Sequence, residues 1–381
     1  MNLSFQKIFF AIATVVILFT VLIIAKSILV PLGFALLLSF ILYPLTKKFE
    51  FWGINKMVAA FLSLLVLFLV VGGGIFFFLT QIINLPNELS VFQVKMMSLL
   101  TNLTLYINEH INLKSDLEIE YLLAQMTKWL QSAALPLAEN TFYSTTGFLT
   151  GMLTAIIYTF LILIYRNGLT RAFVLFASDE NRGRTLNMLK KLQKVGQKYM
   201  GGMLSLILIL GVANSIGLWI IGIDSPFLFG FLAAAMSIIP YVGTTLGASI
   251  PILYAFMSQD SLLIPLAVAI MFWSVQLIES NFLSPKVVGS SLQINALAAI
   301  LSLIIGASVW GIAGMILFLP FAAMLKVICE EYEPLKPVAL LLGNQVYSGK
   351  VEVVAMPQWY IKMKGRFSKF HKRSKKNDEK K

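Results

Sequence analysis

The sequence predicts an all-α fold: a polytopic α-helical membrane protein of about eight transmembrane helices that include one broken, re-entrant helical pair. Three observations carry this expectation. Apolar residues make up 58% of the 381 residues and charged residues only 13%, whereas an ordinary soluble domain is roughly 25% charged. The charges are separated by uncharged runs about as long as a membrane is thick, and one such run is interrupted midway by Pro and Gly. With a mean hydropathy of +0.83, the composition excludes a disordered chain, a nucleic-acid-binding domain and a disulfide scaffold. The lone Cys329 cannot form an internal disulfide. His110 and His371 both lie outside the apolar runs, which argues against a His/Cys zinc site or an intramembrane His relay, so no metal or cofactor is expected.

A charge at the bilayer centre costs roughly 2.5 to 3.5 kcal/mol even on the lenient insertion scale, so the gaps between charges mark the spans. Ile8 to Ala25 lies between Lys7 and Lys26, and Ser27 to Thr46 lies between Lys26 and Lys47. At ~1.5 Å per residue each reaches about 27 to 30 Å, one hydrocarbon thickness, and together they form a tight hairpin. A cleaved signal peptide is disfavoured for the first, because no small-x-small cleavage pattern follows it. Span three runs from Met57 to about Leu85, span four lies within Asn140 to Tyr165, and span five within Tyr199 to Ile223.

Residues 1–85 thus hold spans one to three, and residues 86–139 form an extracytoplasmic acidic helical lobe with three Lys against six Asp and Glu. Ser115 and Glu118 have the form of a capping box there. After span four in 140–165, residues 166–198 carry eight Lys and Arg against Asp179 and Glu180. Met188, Leu192, Val195 and Tyr199 recur at helical spacing, which predicts a basic amphipathic helix lying on the membrane surface. Positive segments mark the cytoplasmic side. The 47–56 loop, the 166–198 segment and the basic tail within 329–381 therefore belong inside, the acidic lobe outside, and both termini in the cytoplasm. The last 21 residues hold ten Lys and Arg; anionic lipid rather than nucleic acid is the expected partner of this tail.

The transport core is expected in 199–328, since Tyr199 to Leu325 carries only Asp224, Asp260, Glu279 and Lys286 as charges. The run Ser225 to Gln259 is too long for one span and too short for two comfortable ones, and it is broken at Pro240-Tyr241-Val242-Gly243 and again at Gly247 and Pro251. Open backbone at membrane depth is tolerated only where protein or a watery cavity covers it. This favours a re-entrant pair, about Phe227 to Ile239 and Thr244 to Met257; two full spans, giving ten in all, is the alternative. Leu262 to Ile278 is span six, and Val287 to Leu325 supplies spans seven and eight, joined near Trp310-Gly311. Glu279 with Asn281, Pro285 and Lys286 at the inner end of span six is the sharpest candidate for a substrate or ion contact, beside a helix expected to break before Pro285. A structural Glu279–Lys286 ion pair is the alternative. Likewise Gly243 and Gly247 suit either a pathway element or close helix packing. No positioned nucleophile with a base stands in the spans, so an enzyme is not expected.

These residues carry a resemblance. Pro31 and Pro44, Gly53, Pro240 to Gly243 with Gly247 and Pro251, Glu279 with Asn281, Pro285, Lys286 and Gly289, and Gly311 to Gly314 with Pro320 resemble the autoinducer-2 exporter family of bacterial membrane transporters over about Ile8 to Tyr332. The family pattern has a His-Pro pair before span seven where this chain reads Ile294-Asn295. The resemblance implies an inner-membrane transporter and a homo-oligomer. It implies export of the quorum-sensing furanone in some members and sodium/proton antiport in others. Broken helices and sparse intramembrane charge independently suit a solute or ion pathway with Pro240, Tyr241, Gly243, Gly247, Glu279, Asn281, Pro285 and Lys286 along it.

Overall fold

A computed structural model describes residues 5–82, 147, 149–239, 242–259, 261–289 and 292–343. The whole acidic lobe, the tail beyond 343, and Pro240, Tyr241 and Asp260 lie outside the described residues. The described residues are almost wholly helical. Helix α1 is Phe5–Ile24, α2 Lys26–Phe51, α3 Lys56–Ile82, α4 Leu149–Leu175 and α5 Arg182–Ile221. Next come α6 Pro226–Met236, α7 Val242–Ser258 and α8 Leu263–Ile278, then α9 Ala296–Trp310, α10 Ile312–Glu331 and a short α11 Lys336–Leu342. Among the described residues, six helices are long and apolar enough to cross a membrane, in keeping with a polytopic helical membrane protein.

The charge gaps locate the helices well at both ends of the chain. Lys26 opens α2, and Pro31 and Pro44 sit inside it. Spans seven and eight are α9 and α10, packed on each other as a hairpin. They join at Gly311, whose φ of +63° is a left-handed conformation that a side chain would strain. Asn295 caps α9 by accepting from the Ala298 N–H at 2.8 Å, while its Nδ2 donates to the carbonyls of Leu341 and Gly343 at 2.6 and 3.1 Å. That one amide therefore starts α9 and ties α11 to the chain before it.

Two expectations are corrected. The basic segment is not a separate surface helix: residues 166–175 complete α4, and residues 182–198 open α5, a single 40-residue helix about 60 Å long. Its apolar face is already used. Leu192 and Val195 pack on Leu37, Leu317 and Met324, and Tyr199 on Ala323 and Leu292, so α2 and α10 cover the surface that looked membrane-seeking. The helix also does not break before Pro285. Beyond α8 the chain continues as two widened π-helical turns, Glu279–Leu283 and Pro285–Gly289. Proline lacks the N–H of a normal α turn, and a wider turn accommodates that loss without ending the helix.

In the first half of the chain, α2 is the hub. Thr46 donates to Ser63 of α3 at 2.9 Å, both buried, and Thr159 of α4 reaches the Ala35 carbonyl at 3.5 Å. At its C-terminal end Glu50 forms a two-oxygen ion pair with Arg166 of α4, and the guanidinium also stands 5.5 Å from the Tyr43 ring. The two charged side chains are only 18% and 12% exposed, so removing one strands the other in a poorly solvated place. Glu50→Ala is expected to lower stability by about 3 kcal/mol, read as a clear fall in the thermal midpoint of the purified protein. Glu50→Ala combined with Arg166→Ala should cost less than the two single changes together, and strict additivity would show that the pair is not coupled.

Candidate functional site

The broken pair sets up the site. α6 has 11 residues and α7 has 17, rises of about 16 and 25 Å, and a hydrocarbon core is about 30 Å thick. α6 is therefore too short to cross alone. The two helices pack closely because α7 presents glycine where α6 presents backbone: a Cβ on Gly243 would overlap the Met236 carbonyl, and one on Gly247 would meet the Ala233 backbone. Both glycines are buried. Phe229 and Tyr254 stack across the pair with ring centres 4.5 Å apart, and Leu218, Val268 and Phe272 close the apolar layer from α5 and α8.

Beside this pair a small cavity of about 20 Å³ is lined by Asn214 of α5, Ser237 after α6, Thr244 of α7, Gln276 of α8 and Glu279 of the widened turn that follows it, with apolar walls that include Phe272. A space of this size holds about one water-sized group. Glu279 is 8% exposed and is approached by Ser284, whose hydroxyl stands 3.5 Å from its Oε1, and by the Gln276 side chain. Asn214 is 4% exposed, and its Oδ1 has no hydrogen-bond partner among the described residues. Leaving such an acceptor unmade costs about 1 to 3 kcal/mol, so its presence in a membrane helix calls for a reason.

The predicted site residues fare differently. Glu279 faces the cavity, and Gly243 and Gly247 fix the helix crossing next to it. Asn281, Pro285 and Lys286 are exposed on the widened turns and do not join the cavity lining. The Asn281 amide is engaged with the Leu277 carbonyl at 2.8 Å and the Ser280 hydroxyl at 3.3 Å. Glu279 is not ion-paired with Lys286; its partners come from Ser284 and Gln276 instead. Pro240 and Tyr241 lie outside the described residues. Asn214 and Ser237 were missed. The available signal was an Asn standing as the only amide in the apolar stretch Leu204 to Ile221.

A larger cavity of about 400 Å³ lies between the start of α5 and the end of α10, lined by Phe176, Arg184, Met188, Glu331, Tyr332 and Glu333 among others. Its carboxylates are already engaged, Glu331 with Lys191 at 3.4 Å and Glu333 with Lys336 at 2.5 Å. Lys336 holds the Glu333 carboxyl below its usual range. Among the described residues no three of His, Cys, Asp and Glu come together as a metal site.

The profile of a family described as AI-2E family transporter matches residues 12–334. The chain is 28% identical to "Putative transport protein YrrI" of Bacillus subtilis over 318 residues, 81% of this chain and 87% of that one. It is 38% identical to "Putative transport protein YueF" of the same organism over 153 residues, 40% of each chain. With "AI-2 transport protein TqsA" of Escherichia coli it shares 30% identity over 118 residues, 31% of this chain and 34% of that one.

The crossing geometry predicts damage at both glycines. Gly243→Leu and Gly247→Leu should each force α6 from α7, lowering the thermal midpoint and abolishing flux while the protein still reaches the membrane. Gly53→Ala, away from the cavity and with open space around its Cβ, is the control and should leave flux near normal despite local strain from its positive φ. Normal flux in Gly247→Leu would mean that the close crossing has no part in transport.

Proposed function

The chain belongs to the AI-2E transporter family, and on that premise we propose that it moves a small hydrophilic solute, such as a quorum-sensing autoinducer, across the bacterial inner membrane. The pathway runs past the broken pair and Glu279. One observation carries this reading: a buried carboxylate beside the interruption in the membrane helices, sharing a polar cavity with Asn214, Ser237, Thr244 and Gln276. Ionisable groups at such depth are costly and mark substrate or ion pathways, and discontinuous helices at the same point supply polar backbone to a solute. The name of the Escherichia coli relative, an AI-2 transport protein, supports autoinducer as the first solute to try. The buried carboxylate also favours a second reading, exchange of sodium ions or protons, and a proton or sodium gradient is the natural coupling for either. The pair enters and leaves from the outer side, both termini are cytoplasmic, and the working unit is a homo-oligomer in a bilayer whose anionic lipid attracts the basic tail.

Proteoliposome flux over a panel of solutes, with and without a proton or sodium gradient, tests this directly. Saturable, gradient-dependent flux is expected; conductance that does not saturate would point to a passive pore instead. Glu279→Gln keeps the shape and removes the charge, and should lower flux at least about tenfold with assembly intact. If adding Lys286→Met restores that flux, the carboxylate served only to neutralise a cation and the pathway role is wrong.

Orientation has its own test. In a Cys329→Ser background, Asn112→Cys should react with an impermeant thiol reagent in intact cells. Protection there, with reaction after permeabilisation, would invert the whole arrangement.

A further inference from the structure

We propose that the cavity between Asn214 and Glu279 is a water-accessible station that selects for hydrogen-bond donors and rejects anions, with Asn214 as a solute-contacting residue; this rests on the transport reading above. The chemistry of the lining points one way. Glu279 offers carboxylate oxygens, and Asn214 Oδ1 is an acceptor with no partner among the described residues, on a side chain 96% buried in α5. Ser237 already donates its hydroxyl proton to the Ala234 carbonyl at 2.6 Å, which leaves its lone pairs facing outward as acceptors. Gln276 directs its amide to Glu279. Among the described lining residues there is no Lys, Arg or His.

A set rich in acceptors and carrying a carboxylate attracts a group that brings a proton to share, such as a hydroxyl, an ammonium or the hydration water of a cation. It repels a carboxylate or phosphate at the same position. Size reinforces the point. About 20 Å³ admits one such group at a time, so a polyhydroxylated solute would be read one hydroxyl at a time as it passes.

The placement explains why an amide serves here. Asn214 is on α5, which packs along α6 and touches α8, so it lines the cavity from the helix that contacts both the broken pair and α8. It sits one residue before Ser215, whose backbone Gly230 approaches too closely for any side chain at that glycine. The amide is thereby held against the break by a packed crossing, on the side of the cavity formed by α5.

Silver ion, a thiol-reactive probe about the size of a water molecule, reads the cavity without any transport assay. In the Cys329→Ser protein reconstituted in liposomes, Asn214→Cys should be silver-protected from later alkylation under denaturing conditions, scored by mass spectrometry. Leu218→Cys, at a fully buried apolar position, should not be. Flux then reads the selectivity. The autoinducer-2 furanone in borate-free buffer should move and succinate should not. Asn214→Leu should raise the half-saturation concentration for the furanone about tenfold, the order a lost hydrogen bond is worth; Asn214→Ser, which keeps a small acceptor, should retain part of the activity if the Leu variant folds poorly. Failure of silver to reach Asn214→Cys overturns the inference whatever the flux. So does succinate transport by the unmodified protein, or an unchanged half-saturation in Asn214→Leu. Unmodified protein that moves neither solute overturns the transport reading alone, and the silver result still decides whether the cavity is hydrated.

Discussion

Everything about the core of this protein follows from the rule that, in lipid, a backbone polar group must find its partner inside the protein. The interruption between two short apolar helices, α6 and α7, frees carbonyls and amides that would each cost several kcal/mol if left bare in hydrocarbon. The chain meets this constraint by covering. Ser237, Ile238 and Ile239 turn back to donate to the carbonyls of Ala233, Ala235 and Met236, and the Gly243 amide donates to the Ile239 carbonyl at 2.9 Å. α5 and α8 then enclose the pair with Leu218, Val268 and Phe272.

The same covering creates the site. α6 and α7 approach closely at Gly243 and Gly247, and Ser237 and Thr244 beside that crossing line the junction with α5 and α8. There the widened turns after Ile278 position Glu279, and close approach of α5 at Gly202 to the Val287 carbonyl holds those turns in place. A residue without a Cβ, a proline without an N–H and a buried carboxylate are each unfavourable in isolation. Together they make a polar pocket in an apolar protein.

Much of this was legible in the sequence because charge is so expensive in a bilayer. Lys26 and Lys56 marked the first residues of α2 and α3, and the Trp310-Gly311 junction fell where a 39-residue uncharged run had to turn. Glu279 was legible for the same reason, as a charge where few are tolerated. What stayed hidden depends on direction rather than composition. The stripe Met188, Leu192, Val195 and Tyr199 has the same spacing whether it meets lipid or other helices, and it meets α2 and α10. Asn214 carries no charge, so an apolar run conceals it, and only the packing of α6, α7 and α8 around it reveals that it lines a cavity rather than a solvated edge. Pro285 promised an end to the helix, but the helix widened and continued.

The length of α5 has a mechanical consequence. Arg182 and Asn214 stand on one uninterrupted helix, 32 residues and so about 48 Å apart. A stiff rod of that length is a lever: a tilt of about 5° pivoting at Asn214 sweeps its basic end through roughly 4 Å. The basic end of α5, packed against α2 and α10, and the pocket at Asn214 are thus the two ends of one rod.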